Sequence, residues 1–135
     1  MAQMGLTHVC TLLHAEEGAD AIRLIALELG CRWLWLPVAG ARLQKLQAVD
    51  TEAMVVEFAE AIAEVSQPKV YLHCSAGIHR TGFVASLLLR LYPLARDDIP
   101  AALAKLRPIT AQGVGQDRIA LAVARADALL DRVNC

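Results

Sequence analysis

Apolar residues recur along the chain at two spacings, and these separate helices from strands. Short runs rich in β-branched and aromatic residues predict three strands at residues 7–13, 31–36 and 69–73, and Pro37 closes the second of them. Apolar positions at helical spacing between capping residues predict five helices at residues 21–29, 51–65, 81–91, 99–106 and 116–132. Residues 38–50 have no clear period and are expected to form a loop with some helical turn in it.

Residues that start or stop helices flank these segments. Gly30 is expected to end the first helix, because glycine readily adopts the left-handed conformation found after a helix. Asp50 or Thr51 is expected to cap the second helix, and Asp97 or Asp98 the fourth.

The alternation of strands and helices predicts the fold class. It favours an α/β fold with a mainly parallel central sheet and helices on both of its faces. A chain of 135 residues without repeats or a linker is expected to form one domain over residues 1–135. Sites in such sheets lie at the carboxyl ends of strands, and Cys74 follows one of these ends.

Composition limits the partners of the chain. A net charge of −1 indicates neither a nucleic-acid partner nor a membrane surface. No apolar run approaches the roughly 18 residues of a membrane-spanning helix. Hydrophobic residues make up 56% of the chain and aromatic residues only 4%, so the core is expected to be aliphatic. Trp33 and Trp35 alternate along the second predicted strand, which favours packing on one face.

Four cysteines are scattered along the chain, without a CxxC pair: Cys10, Cys31, Cys74 and Cys135. This pattern and the absence of a signal sequence predict a reducing, cytoplasmic location. Cys10 and Cys31 fall in predicted strands and are expected in the core, with a regulatory disulfide to Cys74 as the alternative.

The segment His73–Gly82 reads HCSAGIHRTG and joins the third predicted strand to a helix. Five residues separate the Cys74 thiol from the Arg80 guanidinium: Ser75, Ala76, Gly77, Ile78 and His79. Small residues and a glycine allow successive backbone N–H groups to surround an anion, and the following helix adds its positive end. A cysteine in such a setting has a lowered pKa and is a nucleophilic thiolate at neutral pH.

HCSAGIHRTG resembles the HCxxGxxR[ST]G signature of the protein tyrosine and dual-specificity phosphatase superfamily. The order of predicted elements over residues 6–91 is similar to that of a compact dual-specificity phosphatase. Residues 110–116, TAQGVGQ, resemble the glutamine loop of that family. The resemblance implies a phosphotyrosine-phosphatase-like fold and catalysis without a metal or other cofactor.

The resemblance also implies a role for each residue of the loop. Cys74 would attack phosphorus and form a phosphocysteine. Arg80 would bind the equatorial phosphate oxygens together with the backbone N–H groups of the preceding five residues, which are Ser75, Ala76, Gly77, Ile78 and His79.

Supporting roles follow from the same resemblance. Thr81 would hydrogen-bond the departing thiolate, and His73 would set the position of the cysteine. Gln112, or alternatively Gln116, would orient the water that hydrolyses the phosphoenzyme.

The general acid has three alternatives. The family places an aspartate on a mobile loop, commonly about thirty residues before the cysteine, but residues 36–42 contain no carboxylate. Asp50 is the nearest candidate downstream, although a helix cap is also expected there. His79 is a second candidate, and an enzyme without a protein acid, active on good leaving groups, is the third.

The sequence thus predicts a phosphatase for phosphotyrosine, and also for phosphoserine or phosphothreonine, acting on a phosphorylated protein or a small phosphomonoester. A phosphoinositide or RNA 5′-phosphatase on the same scaffold is one alternative, and a non-catalytic phosphate-binding module is another. The sequence leaves the oligomeric state open.

Overall fold

Strands and helices alternate along the chain in the computed structural model, which describes residues 5–133. Its strands are β1 (His8–Thr11), β2 (Arg32–Trp35) and β3 (Val70–His73). Its α-helices are α1 (Ala19–Glu28), α2 (Leu43–Gln47), α3 (Thr51–Ala63), α4 (His79–Leu91), α5 (Ile99–Leu106), α6 (Pro108–Gly113) and α7 (Gln116–Val133). Short 3-10 turns at Ala15–Glu17 and Arg96–Asp98 precede α1 and α5.

The chain divides into two compact units, and each is built from two separate segments. The sheet unit comprises Met1–Ala39 and Asp50–Ser75, and it holds all three strands with α1 and α3. The helical unit comprises Gly40–Val49 and Ala76–Cys135, and it holds the other five helices of the described chain. The boundary at Ser75 falls inside the signature loop His73–Gly82, so the start of this loop belongs to the sheet unit and the remainder to the helical unit.

The sheet is parallel throughout, with the strand order β2–β1–β3. β1 is central and its residues are buried, which fits a strand rich in β-formers between two neighbours. Thr11 at its end lies opposite Trp35 of β2 and His73 of β3. Parallel pairing brings the carboxyl ends of the strands to one edge of the sheet, and β3 leads there directly into Cys74.

Helices flank both faces of β1 within the sheet unit. Val9 packs with Ala26 of α1 in a buried apolar cluster. The neighbouring His8 places its Nε2 atom 3.0 Å from the carbonyl oxygen of Ala61 in α3. Because successive strand residues point to opposite faces, α1 and α3 lie on opposite sides of β1. The predicted α/β class, with a parallel sheet and helices on both faces, is confirmed.

The helical unit is organised around α4, whose inner side chains are enclosed. Phe83, Val84 and Leu87 are completely buried. Burial of side chains of this size stabilises the fold by about 1.5–3 kcal/mol each. A second buried cluster joins α5, α6 and α7 and contains Ile99, Leu103, Val114, Ile119 and Val123. Arg90 Nε of α4 and Asp127 Oδ1 of α7 form an ion pair at 2.9 Å.

Two arginines of α7 hold the segment Gly40–Val49 through its main chain. Arg118 Nε donates to the carbonyl oxygen of Ala41 at 2.9 Å, and Arg125 donates to the carbonyl oxygen of Gln47. Charged donors of this kind make stronger hydrogen bonds than neutral ones. The loop predicted here with some helical turn is therefore anchored to α7, and its turn is α2.

Most predicted elements are present, with altered ends. Each strand is shorter than predicted, while α5 has the predicted bounds. Gly30 adopts a φ of 76°, which confirms it as the stop signal after α1. Asp50 is confirmed as the cap of α3, since its carboxylate accepts a hydrogen bond from Ala53 N–H at 3.0 Å. α4 begins at His79, two residues before the predicted start at 81.

Two features differ from the prediction. Asp98, one of the two predicted caps, occupies the N-cap position of α5, but its side chain makes no capping hydrogen bond. The reason is that Asp98 continues the preceding 3-10 turn, with ψ −9°, and lacks the extended backbone of a capping residue. α6 was not predicted. No helix within residues 5–133 has both the length and the apolar character needed to cross a membrane.

Candidate active site

Cys74 lies where β3 ends, in the sheet unit. Cys74 is 8% exposed, whereas the next residue, Ser75, is exposed to solvent. The central strand beside β3 continues the pairing at this point, since Leu12 N–H donates to the His73 carbonyl oxygen at 3.0 Å. The backbone that enters the signature loop is therefore held by the sheet.

His73 is buried next to Cys74 and makes two polar contacts in the sheet unit. Its Nε2 atom lies 2.8 Å from Thr11 Oγ1 on the neighbouring strand. Burial lowers the pKa of the His73 imidazole, while a hydrogen bond to the backbone of Cys74 acts in the opposite direction. The burial effect is the larger one, so the ring is neutral at physiological pH. This position fits the role expected for His73 in setting the cysteine.

The rest of the loop belongs to the helical unit and turns sharply at Gly77. Gly77 is buried and has a φ of 70°, a conformation that only glycine adopts without strain. His79 and Arg80 lie in the first turn of α4, which contains no acidic residue. Arg80 and Thr81 are each 7% exposed. The helix thus presents its positive end and a buried guanidinium immediately after the loop.

α6 contacts the loop at two points within the helical unit, and the residue that follows α6 contacts α4. The Thr110 hydroxyl donates a hydrogen bond to the Gly77 carbonyl oxygen. Gly113 meets Ile78 so closely that a Cβ at residue 113 would lie 2.6 Å from Ile78 Cγ2. A Cβ at Gly82 would likewise lie 2.6 Å from the Cβ of Val114. Glycine at positions 82 and 113 therefore permits the close approach of α6 to the loop and to α4.

A second arginine borders the loop from the same side. The guanidinium of Arg107 lies against Gly77, so closely that a Cβ on that glycine would overlap it. Arg107 is the residue before α6 and its side chain is exposed. The helical unit therefore brings a cation beside the loop that the sequence pattern did not single out. The only local signal is an Arg-Pro pair before the predicted glutamine loop.

The two candidate glutamines lie in different surroundings. Gln112 belongs to α6, directly before the glycine that contacts Ile78. Gln116 begins α7 and lines a cavity of about 310 Å³ together with Arg96 and Pro100. Both side chains are exposed.

Cys10 and Cys31 are both buried in the sheet unit, as expected for core residues. Burial raises the pKa of the Cys10 thiol to about 12, so it stays protonated and unreactive at neutral pH. The cysteines within residues 5–133 are not joined by a disulfide. Cys135 lies outside the described residues.

Comparison with known proteins identifies the family of the chain. A family model described as the tyrosine phosphatase family matches residues 1–103, which include the whole signature loop and leave out α6 and α7. No curated protein and no solved structure matches the chain significantly. The family match covers most of the chain, and the chain therefore belongs to the tyrosine phosphatase family and is a phosphatase.

Proposed function

We propose that this phosphatase hydrolyses phosphotyrosine, and also phosphoserine and phosphothreonine, through a phosphocysteine intermediate on Cys74. One observation carries the proposal. The Cys-x5-Arg signature begins at the carboxyl end of a parallel strand, and its arginine lies in the first turn of the following helix. A thiol at a strand end and a guanidinium at a helix start are the two groups that covalent phosphoryl transfer requires.

In the first step the Cys74 thiolate attacks phosphorus opposite the ester oxygen. An S–P bond forms as the P–O bond to the leaving group breaks, and the leaving oxygen takes a proton from the general acid. Arg80 and the backbone N–H groups of residues 75–79 stabilise the charge on the equatorial oxygens. Asp50 is the proposed acid, with His79 as the alternative.

In the second step water attacks the phosphocysteine, so that an O–P bond forms, the S–P bond breaks, and the group that acted as the acid in the first step takes the proton that the water loses. The thiolate leaves with its electron pair, and the Thr81 hydroxyl donates a hydrogen bond to it. Gln112 orients the water. Its place in α6, the helix that contacts Gly77 and Ile78, supports this role over Gln116, which lines a separate cavity.

Rapid quenching with radiolabelled phosphotyrosine peptide tests the intermediate. The native protein should yield acid-stable phosphocysteine and turn over p-nitrophenyl phosphate between pH 5 and 8. Cys74→Ser should bind the phosphopeptide without hydrolysing it. Cys31→Ser is the matched control, because it changes another buried cysteine of the same unit and should retain turnover. Absence of both a burst and turnover in the native protein would overturn the enzymatic function in favour of a phosphate-binding module.

A substrate panel tests the specificity. Phosphotyrosine, phosphoserine and phosphothreonine peptides, a phosphoinositide in vesicles and a 5′-triphosphorylated RNA should be compared by kcat/KM. The peptides should be preferred, with the aryl ester hydrolysed fastest because phenolate is the better leaving group. A higher kcat/KM for the phosphoinositide or the RNA would contradict the proposed substrate class.

The proposal extends to the organisation and location of the enzyme. We take residues 1–135 as one catalytic domain, because the chain passes repeatedly between its two units and the signature loop itself continues from one into the other. A nucleophilic thiolate requires reducing conditions, which supports the cytoplasm as the compartment.

A further inference from the structure

Three side chains of the sheet unit form a continuous chain of hydrogen bonds that ends beside Cys74. Trp33 Nε1 donates to Thr11 Oγ1 at 2.9 Å, and the same oxygen lies 2.8 Å from His73 Nε2. The three residues come from three neighbouring strands. The path therefore crosses the whole sheet from β2 through β1 to β3.

The donors and acceptors in this chain have a single direction. The hydrogen bond between the His73 ring and the Cys74 backbone raises the pKa of the ring. A bond with this effect is donated by a ring N–H, so its acceptor is the Cys74 carbonyl oxygen. Because Nε2 faces Thr11, Nδ1 carries the proton that makes this bond, and Nε2 of the neutral ring is an acceptor. The Thr11 hydroxyl then donates to Nε2. The indole N–H of Trp33 can only donate, so Thr11 Oγ1 accepts this hydrogen bond. The hydroxyl proton of Thr11 is then the donor to His73.

Packing holds these groups in place. Thr11 is completely buried, and its partner His73 is 9% exposed. The His73 ring stacks on Tyr71 at a centroid distance of 5.5 Å and an angle of 7°. The Trp33 indole stacks on Trp35 at 5.8 Å and 17°. Neither ring can turn to a different partner without losing these contacts.

We propose that Trp33 and Thr11 are positioning residues for the nucleophile, and that they fix the His73 tautomer that donates to the Cys74 carbonyl. A carbonyl that accepts a hydrogen bond polarises its own peptide group, so the N–H of Ser75 becomes a stronger donor. That N–H is the first one after the thiol. The inference rests on the proposed role of Cys74.

Four substitutions separate this role from a purely structural one. Thr11→Val keeps the shape and removes the hydroxyl, whereas Thr11→Ser keeps the hydroxyl. Trp33→Phe removes the indole N–H. Trp35→Phe is the matched control. It keeps an aromatic ring stacked on Trp33 and removes a different hydrogen bond, the one that the Trp35 indole donates to the Leu13 carbonyl oxygen at 2.7 Å.

Two measurements are made on each variant: the pH dependence of inactivation by iodoacetamide, which reports the Cys74 thiol pKa, and the ¹⁵N chemical shifts of the His73 ring. Thr11→Val should raise the thiol pKa by about half a unit and lower kcat/KM on p-nitrophenyl phosphate about fivefold, the effect of one lost hydrogen bond. Its ¹⁵N shifts should show a mixture of tautomers. Trp33→Phe should act in the same direction, while Thr11→Ser and Trp35→Phe should match the native protein.

Equal thiol pKa values in native protein, Thr11→Val and Trp33→Phe would overturn the inference, as would equal effects of Trp33→Phe and Trp35→Phe. If Thr11→Val does not fold, the two tryptophan variants decide the question on their own. Failure of the proposed function has a different signature, which is turnover retained in Cys74→Ser.

Discussion

The hydroxyl of Thr110 donates a hydrogen bond to the carbonyl oxygen of Gly77. Thr110 is 3% exposed and lies in α6, while Gly77 forms the left-handed turn of the signature loop. A buried side chain of one helix therefore fixes the orientation of a peptide group in the signature loop. Since a reversed peptide would direct its carbonyl rather than its N–H toward an anion, this contact favours the form of the loop that the proposed phosphate binding requires.

Replacement of Thr110 by Val should lower kcat/KM on p-nitrophenyl phosphate by about three- to tenfold, because a buried hydrogen bond contributes about 0.5–1.5 kcal/mol. Thr110→Ser retains the donor and should stay within about twofold of the native value. Steady-state kinetics with thermal unfolding of both variants provides the measurement. Identical kinetics for Thr110→Val and the native protein would show that the loop does not depend on this bond.

Removal of the Arg107 charge should weaken substrate binding. Its guanidinium lies against Gly77, so Arg107→Gln should raise KM for a phosphopeptide about threefold at low salt with kcat unchanged. The difference should shrink at 0.5 M salt because exposed charges are screened. Lys105→Gln is the control, since it removes an exposed cation at the end of α5. Equal KM changes in the two variants would indicate a general charge effect.

Asp50 serves two expected roles that substitution can separate. Asp50→Asn retains an oxygen for the Ala53 N–H, whereas Asp50→Ala should lower the free energy of unfolding by about 1 kcal/mol. If Asp50 is the general acid, Asp50→Asn should lower kcat on phosphoserine about hundredfold and on p-nitrophenyl phosphate only slightly. Glu57→Gln, a change on the same helix, should alter neither rate. Equal losses of kcat on both substrates would exclude Asp50 as the general acid and leave His79 as the remaining candidate side chain.

The free energy of unfolding should fall when the pH drops below about 6.5, partly because of His73. Burial lowers the pKa of this ring in the folded protein, so the unfolded chain binds the proton more readily. The stabilising contribution is complete above the unfolded pKa of about 6.5 and is lost as the pH falls from there through the lower pKa of the folded protein. Urea unfolding at pH 7.5 and 5.5 measures the effect. His73→Gln should reduce the pH dependence, because it removes this titrating ring.

Local sequence signals were sufficient for the main elements of the fold. Glycine after α1, the aspartate before α3 and the proline in the first turn of α5 act on the backbone within a few residues, so they can be recognised without a structure. The signature also lies in one continuous segment, and for that reason the thiol and the guanidinium were identified before their surroundings were known.

Other features depended on residues far apart in the chain. α6 is too short to show a helical period, and it contacts the loop through Thr110 and through the close approach of Gly113 to Ile78. In the sequence, Thr11 and Trp33 are typical strand residues with no sign of a shared role. Only the parallel register places the Thr11 hydroxyl between the Trp33 indole and the His73 ring. The sequence by itself determined the signature and the helix boundaries, because motif and caps are local. Only the tertiary structure decided which side chains form hydrogen bonds to the loop and to His73, because those hydrogen bonds join strands and helices that meet through folding.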